Sequence, residues 1–228
     1  MKKFELTTEF ITNAFGKKLF RIKALVEFGD VKAGELGGYV EKEENVSQDG
    51  NAWVSGDARV YGNAWVYGNA KVYDDAWVHG NAKVFDNAEV SGDAKVYGNA
   101  WVYGDARVYG DAWACGNAWV RGNARVYGDA RVSGNAWVSG NARVSGNAWV
   151  YGDADYALVQ GFGTEFRCTT FYRGKNKKIM VNCGCFHGDL EGFRKQVKET
   201  RNGKIAKEYL MIADLMEYHF TSEDSSDE

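Results

Sequence analysis

Between Gly50 and Ala154 the chain repeats a single hexad, Asn/Asp-Ala-X-Val-Y-Gly. Alanine recurs at every sixth residue from Ala52 to Ala154, and valine at every sixth from Val54 to Val150, with Ala114 as the one replacement. X is Trp, Arg or Lys, with one exception at Glu89, and Y is mostly Tyr or Ser. A short fixed period predicts a solenoid, in which each unit buries its apolar face only against its neighbours. A glycine in nearly every hexad excludes a helix, at a cost of about 1 kcal/mol each.

Side chains alternate along a strand, so Ala and Val of Ala-X-Val share one face and X takes the other. Gly-Asn or Gly-Asp then suits a corner, because both residues tolerate a positive φ. The spacing therefore predicts a parallel β-helix with a dry Val/Ala interior. Two hexads per coil would stack Arg59, Lys71, Lys83, Lys95 and Arg107 into one unbroken like-charge column, which is destabilising. Three per coil place Glu89 between Lys71 and Arg107 and give the alternation Arg59, Trp77, Lys95, Trp113, Arg131, Trp149, favourable for cation–aromatic contact. The triangular coil is therefore expected, with about six coils at about 4.8 Å each. A second column then reads Trp53, Lys71, Glu89, Arg107, Arg125, Arg143, and a third Trp65, Lys83, Trp101, Trp119, Trp137, Asp155.

Read from valine, Val-Y-Gly-Asn/Asp-Ala-X resembles the left-handed β-helix hexapeptide family. More narrowly it resembles bacterial and bacteriophage arrays of Asn-Ala-Arg-Val-Tyr-Gly, which are described as transferase-like. Those proteins have a front like Leu19–Leu25 and Gly34–Gly38 and a tail like Asn182-Cys183-Gly184-Cys185-Phe186. The resemblance implies a left-handed coil, a homotrimer packed through Trp-rich faces, and a counter-defence role in a phage setting. It brings no settled activity.

Four parts are expected. Residues 1–38 form an N-terminal β cap, with strands Lys3–Thr7 and Leu19–Ala24 around a turn at Phe15–Lys18. Residues 39–156 form the β-helix, with an irregular first coil because two extra residues separate Val46 from Val54. Residues 157–220 form an α+β cap: a β-hairpin turning at Lys175-Asn176, then helices from Asp189 to about Thr200 and from about Ile205 to Phe220. Residues 221–228 form a disordered acidic tail.

A net charge of −3 gives no global basic field, which argues against sequence-specific nucleic-acid binding. No apolar run reaches about 18 residues and the N-terminus lacks a signal-peptide core, so no membrane partner and a cytoplasmic setting are expected, in a bacterium or a phage-infected cell. Four scattered cysteines do not form a disulfide scaffold.

The candidate sites follow from the columns. Arg107, Arg125 and Arg143 with Tyr109 and Tyr127 offer guanidinium forks beside stacking rings, suited to a nucleotide-like ligand, or form a solvated ladder. Trp101, Trp119 and Trp137 make an exposed strip that suits an oligomer interface. His79 is the one histidine of the array. Hexapeptide acyltransferases use an outward histidine as general base on an acyl-thioester donor, but they interrupt the coil with a groove loop that this array lacks; the alternative is a surface substitute for Tyr. Cys168, Cys183, Cys185 and His187 have zinc-ligand chemistry if Cys168 lies opposite Cys183, or pack as small apolar residues. Asp74 and Asp86 replace corner glycines, as cation ligands or as tolerated corners. The expected function is a non-catalytic oligomeric scaffold that binds a nucleotide-like molecule or a host protein, with no cofactor. The alternative is an acyltransferase.

Overall fold

The computed structural model describes residues 2–152, 155–175 and 177–221. Of the expected tail 221–228, Thr221 instead ends a helix, and residues 222–228 lie outside the described ones. Two antiparallel strands, β1 (Phe4–Thr12) and β2 (Lys18–Ala24), open the chain, and β3 (Leu36–Val40) pairs with β2. Their hairpin turns at Asn13, whose Oδ1 accepts from the N–H of Phe15 and of Lys17, both at 3.0 Å.

Strands β4 (Trp53–Val54) through β20 (Trp149–Val150) then wind a parallel β-solenoid of about six turns. Within the solenoid, strands pair with those three before and three after, so residues 18 apart stack: Glu89 lies between Lys71 and Arg107. The inward Val and Ala side chains from Ala52 to Val150 are all buried and join one continuous core. The first coil is longer. Tyr39 pairs with Arg59 and Val46 with Val66, each 20 residues on, which accommodates the two extra residues.

The corners explain the hexad's last residue. Gly98 has φ +71°, and a Cβ there would stand 3.0 Å from the backbone of Gly116 on the next coil. Asp74 and Asp86 adopt the same left-handed backbone, at φ 59° and 56°. Each carboxylate offsets that strain locally, accepting from the N–H of Gly92 or Gly104 on the next coil at 3.1 and 3.2 Å.

The end of a solenoid exposes a row of unpaired backbone groups. At the N-terminal end the unpaired groups are carbonyls, and each side of the coil meets them differently. Tyr39 N–H and Glu41 N–H pair with Ala58 and Val60, and Ser47 N–H pairs with Val66. Buried Asn45 donates through Nδ2 to the carbonyls of Gly62 and Ala64, at 3.1 and 2.9 Å. Buried Lys3 donates through Nζ to those of Gly50 and Ala52, at 3.3 and 2.9 Å.

The expected C-terminal hairpin is instead half of a four-stranded antiparallel sheet: β21 (Tyr156–Phe162), β22 (Arg167–Arg173), β23 (Ile179–Cys183) and β24 (Phe186–Asp189). Alternation splits its faces. Tyr172 joins the solenoid core, while Phe171 and Val181 pack with the helices α1 (Leu190–Thr200) and α2 (Gly203–Thr221). Asp189 caps α1, its Oδ1 accepting from Gly192 N–H at 2.9 Å. Among the described residues no helix is long and apolar enough to cross a membrane.

Candidate functional site: the outward columns

Stacking at the coil rise turns each outward position into a column. On one sheet Arg107, Arg125 and Arg143 lie in direct register, and all three side chains are exposed. Tyr109 and Tyr127 stack beside them, with ring centres 5.0 Å apart and planes 3° apart. Arg107 is the most engaged of the three, its Nε 3.5 Å from the Glu89 carboxylate. Arg125 and Arg143 have no ion pair among the described residues. Burial raises the Tyr109 hydroxyl pKa, and the adjacent Tyr127 adds to this; the three arginines pull it the other way, so their charge reaches the tyrosine pair.

On a second sheet Trp101, Trp119 and Trp137 stack face to face, at 5.0 Å and 1°, then 4.9 Å and 16°. Trp137 is 41% exposed, as is Trp65 lower on the column. Tyr67, Phe85 and Tyr103 form a parallel ring stack alongside, 4.8 Å apart at each step. Asp155 does not extend the tryptophan column as the period suggests. It accepts from the N–H of Tyr151 and Gly152 and meets Arg173 at 3.1 Å, ending the last coil.

The third sheet carries the cation–aromatic alternation. Arg59 and Lys95 lie over Trp77, Lys95 and Arg131 over Trp113, and Arg131 over Trp149, all within 5.5 Å of the ring centre. Trp53 is the exception to outward exposure. Phe28 at 5.3 Å and Phe4 at 6.3 Å cover it, so it is a core residue of the cap.

His79 stands in this third sheet's tyrosine column, parallel to Tyr61 at 4.8 Å and Tyr97 at 5.1 Å. Burial lowers its pKa, and Lys95 lowers it further. Among the described residues no carboxylate hydrogen-bonds to its ring, as a general base held in one tautomer would need. Its geometry is that of one aromatic disc in a stack.

The four zinc candidates are not gathered in one place. The hairpin between β22 and β23 closes with Gly174 N–H on Lys178 O at 2.8 Å and Lys177 N–H on Gly174 O at 2.9 Å, one residue longer than a two-residue turn at Lys175-Asn176, so the register moves by one and Cys183 pairs with Thr169 instead of Cys168. Cys183 packs on the helix side and accepts from Thr169 Oγ1 at 3.1 Å. His187 faces the solenoid, its Nδ1 donating to Asn182 Oδ1 at 2.7 Å. Cys168 and Cys185 line a cleft with Arg143.

One column escaped the sequence reading. The corner before the alternating sheet is aspartate in five successive coils: Asp57, Asp75, Asp93, Asp111 and Asp129. At another corner Asn63, Asn81, Asn99, Asn117 and Asn135 pass one amide hydrogen bond from coil to coil, each 3.0–3.2 Å long. A carboxylate ladder has no such donor. Reading the corner residue at a period of 18, as was done for X, separates the two columns.

This register also frames the comparison with known proteins. Residues 52–68, 94–110, 100–116, 124–140 and 138–152 match the YdcK Beta solenoid repeat. The chain is similar to that family in its repeat. The matched segments all lie in the solenoid, so the likeness to YdcK concerns the body and leaves both caps aside. No curated protein matches the chain.

Proposed function

We propose that the chain is a non-catalytic binding scaffold, assembled as a homo-oligomer, that holds an anionic, phosphate-bearing ligand along Arg107, Arg125 and Arg143. The carrying observation is the in-register stacking of Arg125 and Arg143, without ion pairs, beside the coplanar Tyr109–Tyr127 pair. Like charges in direct cross-strand register are unfavourable, so this column gains from a bound anion more than an alternating column would. Guanidinium forks match phosphate oxygens two at a time.

Trp101, Trp119 and Trp137 supply the oligomer contact in this reading, and a trimer with a left-handed coil is the form proposed, on the resemblance of the hexad. The stack supports it: Trp137 is exposed while Trp101 and Trp119 are half-buried, and an apolar strip on a protein surface marks an interaction site. The setting proposed is bacterial cytoplasm. Acyl transfer is the weaker reading, because His79 lies between two tyrosine rings.

Native mass spectrometry and calorimetry test both parts. Wild-type protein is expected to run as a trimer and Trp119→Arg as smaller species. Inorganic tripolyphosphate is expected to bind and to lose about tenfold or more in Arg125→Ala, in line with about 1.5–3 kcal/mol for a charged hydrogen bond. A monomeric wild type would sink the assembly, and absence of tripolyphosphate binding would sink the anion site. Turnover of an acyl-thioester abolished by His79→Ala would reverse the choice between the two readings.

A further inference from the structure

The arginine column ends in a cleft. Where the last coil meets the C-terminal sheet, Asn141, Arg143, Gln160, Phe166, Cys168 and Cys185 surround about 600 Å³, within the usual range of small-molecule sites. Arg143 is held rigidly at its mouth: its N–H donates to Thr170 Oγ1 at 3.0 Å, and its carbonyl accepts from Asn182 Nδ2 at 2.8 Å. The backbone is therefore fixed by the cap while the guanidinium stays exposed. Arg125 stands one coil back, about 4.8 Å along the column.

The other walls have different chemistry. Phe166 is 67% exposed, at φ 47°, a left-handed conformation that is uncommon for a bulky residue. Such strain at an exposed aromatic residue is a pointer to function. Gln160 and Asn141 are exposed amides: Gln160 offers a donor and an acceptor, and Asn141, whose Oδ1 already accepts from Asn123 Nδ2 at 3.2 Å, offers its Nδ2 donors. Burial raises the Cys168 thiol pKa despite Arg143 nearby, so that wall is uncharged at neutral pH.

We propose that this cleft binds a nucleoside di- or triphosphate, with its phosphates on Arg143 and Arg125, its base against Phe166, and the base edge read by Gln160 and Asn141. This rests on the anion reading of the arginine column given above and names the class of ligand. A bare phosphate chain would leave the ring and both amides without a role. A nucleic-acid strand needs a longer cationic track than these three rungs, the first of which, Arg107, already meets Glu89 at 3.5 Å.

Calorimetry on the full chain tests it with ATP, GTP, CTP, UTP and inorganic tripolyphosphate. At least one nucleotide is expected to bind about tenfold or more tighter than tripolyphosphate, the margin that one base–aromatic stack supplies. Phe166→Ala should erase that margin and leave tripolyphosphate affinity unchanged, whereas Arg125→Ala should weaken both. Gln160→Ala should alter the order of preference among the four bases. Phe166 is exposed, so its removal opens no core, and a matching thermal melt checks this. Nucleotides binding no tighter than tripolyphosphate, with Phe166→Ala silent, would overturn the cleft and leave the arginine column standing. No binding by any of the five probes would overturn both.

Discussion

The body of the solenoid and its two ends solve the same hydrogen-bonding problem by opposite means. In the body the strands of each coil hydrogen-bond to those of the next, as Trp101 N–H meets Ala118 O at 2.9 Å, and the side chains need only repeat. At the ends there is no next coil. Asn45 and Lys3 close one end, and Asn182, Ser145, Thr170, Tyr172 and His187 close the other, with no repeat between them. The body is built from redundancy and the ends from individual polar side chains, most of them buried. Equivalent substitutions should therefore have graded effects in the body and abrupt ones at the ends.

The sharpest test pairs one residue from each region. Asn182 is buried and serves Arg143 O, Ser145 Oγ and His187 Nδ1 together. Asn182→Ala leaves Arg143 O and Ser145 Oγ short of a partner, at about 1–3 kcal/mol each, while the exposed His187 ring turns to water, and we expect a loss of about 4 kcal/mol. Val108→Ala, in mid-body, removes two buried methyl groups and should cost about 2–3 kcal/mol. Val72→Ala and Val90→Ala should match it closely, because their surroundings repeat. Urea unfolding of the four variants decides the matter. A wide scatter among the valine variants, or an Asn182 effect smaller than theirs, would break the comparison.

Lys3 sharpens it through pH. Burial lowers the ammonium from 10.5 to about 8, partly opposed by Asp49. The folded chain releases this proton near pH 8, while the unfolded chain keeps it to about 10.5. Between those values the unfolded state binds more protons, so the contribution of Lys3 to stability rises with pH. Lys3→Met should remove that rise. Urea midpoints of wild type and variant at pH 7.5 and pH 10 measure it, and parallel changes in the two proteins would show that the end is not held by a titrating lysine.

The same contrast governs what could be read from sequence. The register of the body was legible because Glu89 and the alternating tryptophans make sense at only one stacking period. The caps do not repeat, so a single loop length mattered: five residues from Gly174 to Lys178 moved Cys183 opposite Thr169 and dispersed the zinc candidates. Strands β21 and β24 went unseen for the same reason. The arginine column was found in advance, but its end was not. The cleft depends on where Gln160 and Phe166 arrive in space, and no period encodes that.

The smallest expected effect concerns His79, and it tests whether a body position is anything more than a rung. Its ring lies between Tyr61 and Tyr97 with planes within 9° of both. His79→Phe keeps a flat disc of similar size in the column, so at pH 8 its stability should change by no more than about 0.5 kcal/mol, as for other substitutions outside the core. Acid separates the two proteins. Burial and Lys95 hold the histidine below its usual 6.5, so as pH falls through 6.5 the unfolded chain takes up the proton first and wild type loses stability. Phenylalanine does not titrate, and the variant should become the more stable protein between pH 6.5 and pH 5. Equal acid sensitivity in both would mean that the ring is not sequestered by its neighbours, and a catalytic role for His79 would then regain its footing.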